Sequence, residues 1–360
     1  MQEADFINKP CNYTEKRKSD DYEIYSYDAF RYKTEDELRT SPRIDQSFLD
    51  SIRMDGFFAQ ELQKKPNLAN MDKETRGLME GFLNKDGLPT VCGIMLFGKY
   101  PQYLSPNLDI VAVVCPTVSY AEENAEGERF LVNKRIDGTI PQMLESAISF
   151  VVQNMKTSTV IDETGHRRDV PEYPIKAIRE ILLNALIHRD YSIHTENEPI
   201  RIEMYPDCIE VSNPGGLYGR LTVDGLGKTK ADVRNPFLAS ALETMELTEN
   251  RYSGIPTICR EMEKARLREP LFESTRGMFK VTLFNKTTKT SDMESRILDY
   301  CQKPRTRESL ATEFGFDGKH PAYFIRTYIM PLVDEGKLQL TLPNKPRSKN
   351  QRFITSSNEH

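Results

Sequence analysis

The 360-residue sequence predicts a mixed α/β chain of the α+β kind, with helices laid on a sheet and a small separate module at the C-terminal end. Two observations carry this. From about residue 87 to 284, apolar positions switch between the 3.6-residue period of helices and the 2-residue period of strands; near 287 the pattern changes to three short helical stretches followed by two strand-like ones. Composition sets the limits: 38% hydrophobic and 29% charged residues suit a globular chain with an ample core, and the length suits two or three domains. A net charge of -5 excludes a uniformly basic nucleic-acid coat but leaves room for a local basic patch. Six scattered cysteines without a C-x-x-C pair fit reduced thiols in a cytoplasm and give no zinc or disulfide framework. No signal peptide opens the sequence, and no apolar run nears the ~20 residues that span a bilayer, so no membrane partner is expected.

In chain order, residues 1–42 are charged and tyrosine-rich, with Tyr22, Ile24, Tyr25 and Tyr27 spaced for one edge strand. Residues 43–165 follow as a smaller α/β segment. Phe48 to Leu83 has the spacing of short helices. Val91 to Gly98 and Leu108 to Val114 are apolar runs bounded by Gly and Pro, which predicts two buried strands. Pro141 to Met155 returns to helical spacing, and the charged stretch Asp162 to Asp169 is expected to be a linker or surface loop.

The next segment, 166–286, centres on a helix predicted from Pro174 to His188. Pro174 has the fixed φ of a first helical position, and strong helix formers follow. Ile178, Ile181, Leu182, Leu183, Ala185, Leu186 and Ile187 leave almost no polar face. Glu180, Asn184 and His188, at i, i+4 and i+8, nevertheless form one narrow polar stripe. Either that stripe faces a ligand, a metal or a wet pocket, or backbone groups satisfy it. A hairpin follows, Ile200 to Met204 returning through Ile209 to Ser212, and Asn213-Pro-Gly-Gly216 ends it, either as a close backbone approach to a ligand or as an ordinary turn. The polar stretch from Tyr218 to Asp232 suits a lid or an exposed loop. Short helices at Pro236 to Met245 and Ile255 to Arg266 and a strand at Met278 to Phe284 close the segment. Gly227-Lys-Thr229 imitates the end of a phosphate-binding loop, but Thr222 stands where that motif needs glycine.

Residues 287–360 are expected as helices at Met293 to Cys301, Thr306 to Phe314 and Pro321 to Glu335, then two strands around a basic loop. Three helices and a β-wing is the winged-helix order. Lys345, Arg347, Lys349 and Arg352 on the wing, with Arg326 on the third helix, are the residues that would meet DNA phosphates; the bland alternative is a solvated hairpin on a protein-interaction module.

The motifs Glu180-x-x-x-Asn184-Ala185-x-x-His188, His188-Arg-Asp-Tyr-Ser192, Ser212-Asn-Pro-Gly-Gly-Leu217, Arg234-Asn-Pro236 and Ser253-Gly-Ile-Pro256 resemble those of the ATP-binding family described as the RecG-related C-terminal domain, a branch of the GHKL ATPases alongside gyrase, histidine-kinase and MutL relatives. The resemblance runs from about Gly87 to Phe284 and implies a GHKL, or Bergerat-like, helix-on-sheet sandwich with ATP and Mg²⁺ as ligands. By that resemblance Glu180 would polarise the attacking water and Asn184 would hold Mg²⁺ through the nucleotide. His188, Lys228 and Arg234 would lie near phosphate, with Gly215, Gly216 and Gly254 clearing space for the backbone. Asn213 takes the place of the aspartate that reads adenine, and Thr282 completes the expected nucleotide set. Two departures, Asn213 itself and Tyr252 in the second glycine box, bear on adenine selectivity and on the phosphate site. Many members carry a Schlafen/AlbA-like domain in front, of which residues 1–42 would be a remnant and the chain a fragment. The functions that follow are a nucleotide-responsive regulator that binds DNA through its C-terminal module, a non-hydrolysing scaffold, and an anti-sigma-type protein kinase. DNA and a second copy of the chain are the expected partners. Nothing in the sequence resembles helicase motor motifs.

Overall fold

The computed structural model describes residues 36–356, apart from 162–166, 230–231, 249–253, 276, 286–289, 315, 317–323, 344, 346–347 and 349. Strand propensity and alternation produce one six-stranded mixed sheet. Its members are β1 (Ile110–Val114), β2 (Val132–Ile136), β5 (Ile200–Met204), β6 (Cys208–Pro214), β7 (Leu271–Thr275) and β8 (Met278–Phe284), in spatial order β2-β1-β5-β6-β8-β7. Only the β1–β5 pair is parallel, and the chain reaches β5 by way of helices and a separate hairpin, β3 (Thr157–Ile161) with β4 (Arg167–Pro171). The charged residues Arg167 to Asp169, expected in a loop, therefore belong to a strand whose partner supplies the hydrogen bonds.

Because side chains alternate along a strand, the sheet has two faces with different neighbours. Ile110, Ala112, Ile202, Ile209, Val211, Val281 and Leu283 point into the main core. There they meet α4 (Ile140–Asn154) and α5 (Ile175–His188), and beside α5 lies α7 (Gly254–Lys264). Val113, Tyr205, Cys208 and Phe284 point the other way and share a second core with Ile297, Leu310, Phe324, Leu338 and Phe353 of the C-terminal module. The main core runs without a break from Ile44 to Leu283, so the segment before residue 166 and the one after it are packed together.

Ahead of the sheet lie α1 (Ser51–Lys64), α2 (Lys73–Met79) and α3 (Val91–Phe97). The last of these corrects the sequence expectation of a strand at Val91 to Gly98. All seven residues of α3 are buried, so the run is apolar on every side and carries no period that separates strand from helix. The deciding groups are local. The Thr90 hydroxyl caps the helix by accepting from Gly93 N at 3.1 Å, and Gly93 packs against the Phe82 carbonyl where no Cβ would fit. The β7 strand was also not expected. The alternation at Tyr22 to Tyr27 lies outside the described residues.

The C-terminal module contains α8 (Thr290–Tyr300), β9 (Arg305–Thr306), α9 (Arg307–Glu313), a π-turn at Ile325–Ile329 leading into α10 (Met330–Asp334), and the strands β10 (Leu338–Leu340) and β11 (Arg352–Thr355). The three strands form a small sheet in the order β10-β11-β9. Pro331 lacks an N–H and its ring would collide with a carbonyl one turn earlier. The widened turn just before it relieves that conflict and lets the helix continue.

Candidate functional site

Two residues of the polar stripe of α5, Asn184 and His188, line a cavity, and the third, Glu180, is joined to it through Asn184. Asn184 Nδ2 donates to Glu180 Oε1 at 3.1 Å, which joins the two side chains across one helical turn. Against this pair sits Gly254, the first residue of α7; a methyl carbon built on it would lie 2.5 Å from Glu180 Oε1 and 2.7 Å from Asn184 Nδ2. A side chain there would push the ends of Glu180 and Asn184 aside, and the positive end of the α7 dipole lies beside the Glu180 carboxylate. Asn184 and His188 line a cavity of about 140 Å³ together with Asn213, Gly215, Gly216, Tyr218, Thr229 and Asp232. Ile181, Ala185, Val211, Ile258, Phe279 and Val281 make its apolar wall. Burial pushes the His188 imidazole down to about 4, and the nearby Arg234 guanidinium adds to the effect, so the ring is neutral at pH 7.

The loops around the cavity are tied by the motifs found in the sequence. Arg189 is buried and donates through its guanidinium to the carbonyls of Thr195 (3.1 Å) and Glu198 (2.7 Å), which closes the loop after α5. Asn235 Nδ2 donates to the carbonyls of Ile187 (2.6 Å) and Arg189 (2.8 Å), covering the C-terminal end of α5. Pro236 then opens α6 (Pro236–Thr244), whose first N–H groups, those of Phe237 and Leu238, donate to the buried Glu37 carboxylate at 3.0 and 2.9 Å. Gly215 has φ +94, a left-handed conformation that lets the chain turn against Asp190.

The structure brings Glu180, Asn184, His188, Asn213, Gly215, Gly216 and Gly254 together. Lys228 is exposed and does not line the cavity, although Gly227 and Thr229 on either side of it do. Arg234 stands behind the wall, donating to the Gly216 carbonyl at 3.0 Å and pairing with Asp190 at 3.6 Å. Thr282 corrects the sequence reading: it pairs with Glu210 in the β6–β8 register, on the face shared with Cys208 and Phe284, so the sheet separates it from the cavity. Tyr252, Ser253 and Lys230 lie outside the described residues. Lys345 and Arg352 are exposed in the C-terminal module; Arg347, Lys349 and the Arg326 side chain are not among the described groups. The sequence reading missed Tyr218, Leu221, Asp232 and Phe279. Their only sequence signal is a place in a polar stretch or on a strand, which carries no information about a cavity.

Comparison with known proteins gives a family resemblance over part of the chain and a likeness of fold over most of it. Residues 197–283 match a family model described as "Putative ATP-dependent DNA helicase recG C-terminal". That stretch of the chain is similar to the family's domain. The matched RecG-type segment holds the hairpin, the glycine turn, the Tyr218 to Asp232 stretch, α6, α7 and β8, while the Glu180 helix lies just ahead of it. A solved structure, the DIP2311 protein from Corynebacterium diphtheriae, matches with a TM-score of 0.52 at 20% identity, over 89% of this chain and 64% of the other. That likeness is one of fold, and the chain spans 64% of that protein's length. No curated protein sequence matches the chain. No helix among the described residues is long and apolar enough to cross a membrane.

Proposed function

We propose that the RecG-type domain binds a purine nucleoside triphosphate, ATP foremost, with Mg²⁺, and that its occupancy governs the C-terminal module docked on the other face of the sheet. The observation that carries this is the convergence of Asn184 and Gly254, a carboxamide and the first residue of a helix, at one cavity, with the Glu180 carboxylate hydrogen-bonded to Asn184 beside it. Among the described residues no three His, Cys, Asp or Glu side chains cluster as a metal site. A Mg²⁺ ion would therefore be held chiefly by oxygens of the nucleotide, with Asn184 Oδ1 as the protein's donor, since Nδ2 is committed to Glu180. When bound, the metal would neutralise phosphate charge. Glu180 would accept a proton from water at its carboxylate, whose Oε1 accepts a hydrogen bond from Asn184 Nδ2. Gly215 and Gly216 would let a ligand approach the backbone.

Among the described lining residues there is no Lys or Arg, and His188 is neutral at pH 7, so Asp232 is the charged one. This favours a second reading, a non-hydrolysing scaffold with weak hold on a triphosphate. The two readings separate in a thermal-unfolding titration with ATP, because a ligand that binds only the native state stabilises it by RT ln(1 + [L]/Kd). The nucleotide reading expects a rise in Tm with ATP and Mg²⁺, a smaller one in EDTA, and loss of the Mg²⁺-dependent part in Asn184→Ala. In Glu180→Ala binding would remain and any turnover would vanish. No shift at any ATP concentration favours the scaffold.

For the C-terminal module we propose a winged helix that contacts DNA. Support comes from the order α8, β9, α9, α10, β10, β11 and from Lys345 and Arg352 exposed on or beside the strand pair.

A further inference from the structure

One wall of the cavity is an aromatic ring on a braced mount. Tyr218 lines the cavity, and the Arg234 guanidinium lies over its ring at 4.9 Å from the centroid. The guanidinium is itself held at three points. It donates to the Gly216 carbonyl at 3.0 Å, pairs with Asp190 at 3.6 Å and stacks on the ring. Asp190 in turn accepts from Ser192 N at 2.9 Å and donates through its own N–H to the Pro214 carbonyl at 2.9 Å. Gly215, with φ +94, allows Asp190 and Arg234 to close in, since a Cβ there would lie 2.8 Å from Asp190 Cβ and 3.2 Å from the Arg234 guanidinium. Every link of this chain fixes the orientation of a side chain that makes no hydrogen bond of the catalytic pair.

A cation over one face of a tyrosine ring, in a cavity whose remaining walls include Ile181, Ala185, Val211 and Phe279, leaves the ring as a rigid planar surface for another flat apolar group. We infer that Tyr218 is the nucleobase-stacking residue of the site, and that Arg234 and Asp190 are positioning residues that hold its ring. The inference rests on the nucleotide reading above and adds to it the residue that meets the base. Stacking is tolerant of base identity, because every base offers a π-face.

The test compares ATP with inorganic triphosphate, which has the same charge-bearing end and no base, by isothermal titration calorimetry on the full chain with Mg²⁺. Tyr218→Leu keeps apolar bulk without a ring and should weaken ATP by about tenfold while leaving triphosphate binding unchanged. Tyr218→Phe should keep near wild-type ATP affinity, and Arg234→Gln should weaken ATP by a smaller factor. Unfolding curves without ligand check that each variant is folded; should Tyr218→Leu fail that check, the wild-type ratio of ATP to triphosphate affinity still decides, since stacking requires ATP to bind more tightly. Equal affinities of wild type and a folded Tyr218→Leu for ATP overturn the stacking role and leave the nucleotide reading standing. Failure of the wild type to bind either compound overturns both.

Discussion

His188 shows how a single residue reports on the site. Its imidazole is pushed down to about 4 by burial with Arg234 adding to it, against about 6.5 in an unfolded chain. Between those two values the unfolded chain takes up a proton that the fold refuses, so stability is full above pH 6.5 and falls as the pH drops toward 4. The loss attributable to this group is at most about 3 kcal/mol. Urea titrations at pH 7 and pH 5 should show the fall in wild type and a flatter dependence in His188→Gln; an identical fall in both would place the titration elsewhere. At this scale the sequence is informative where an anomaly stands out. Glu180, Asn184 and His188 are legible as a group because they are polar residues one turn apart on a helix whose last two turns are otherwise apolar. Tyr218 and Phe279 have no such contrast with their surroundings. Thr282 is misplaced by the sequence because its face depends on a strand register that one chain segment alone does not contain.

Helix α5 and its caps illustrate the next scale. The last carbonyls of a helix need partners, and here Asn235, 47 positions beyond the helix in sequence, supplies two hydrogen bonds from one amide. Replacing Asn235 by Ala leaves the Ile187 and Arg189 carbonyls buried without that donor and should cost about 1–3 kcal/mol, read as a lower urea midpoint at unchanged slope. A loss below about 0.5 kcal/mol would show that water takes over the role. Helices α4 and α5 and the β5–β6 hairpin are legible because period and end signals agree in them. In α3 they do not: a fully buried seven-residue run has lost its period, and only the Thr90 cap and the Gly93 contact with Phe82 decide the matter. The Thr157–Ile161 and Arg167–Pro171 hairpin is hidden for the opposite reason, since its second strand is charged and reads as loop.

On the scale of the whole molecule, alternate residues of β6 and β8 join the cavity wall to the C-terminal module. Val211 and Val281 face the cavity, whereas Cys208 and Phe284 enter the core that also holds Phe324 and Phe353. If the cavity takes a ligand as proposed, these packed residues are the route by which occupancy would reach the module. If the module meets DNA, Lys345→Ala with Arg352→Ala should flatten the slope of log K against log[salt] by about two units, at roughly 0.9 per phosphate contact, with sequence preference unchanged. An unchanged slope would move the module to protein interaction. The central claim, that the cavity under Gly254 is a nucleotide site, is tested most directly by titrating ATP with Mg²⁺ into wild type and Gly254→Ala. A Cβ there displaces the ends of the Glu180 and Asn184 side chains, which can move without unfolding the chain, so the variant should fold and fail to bind where wild type binds. Equal binding by the two proteins, or none by wild type, would contradict the account.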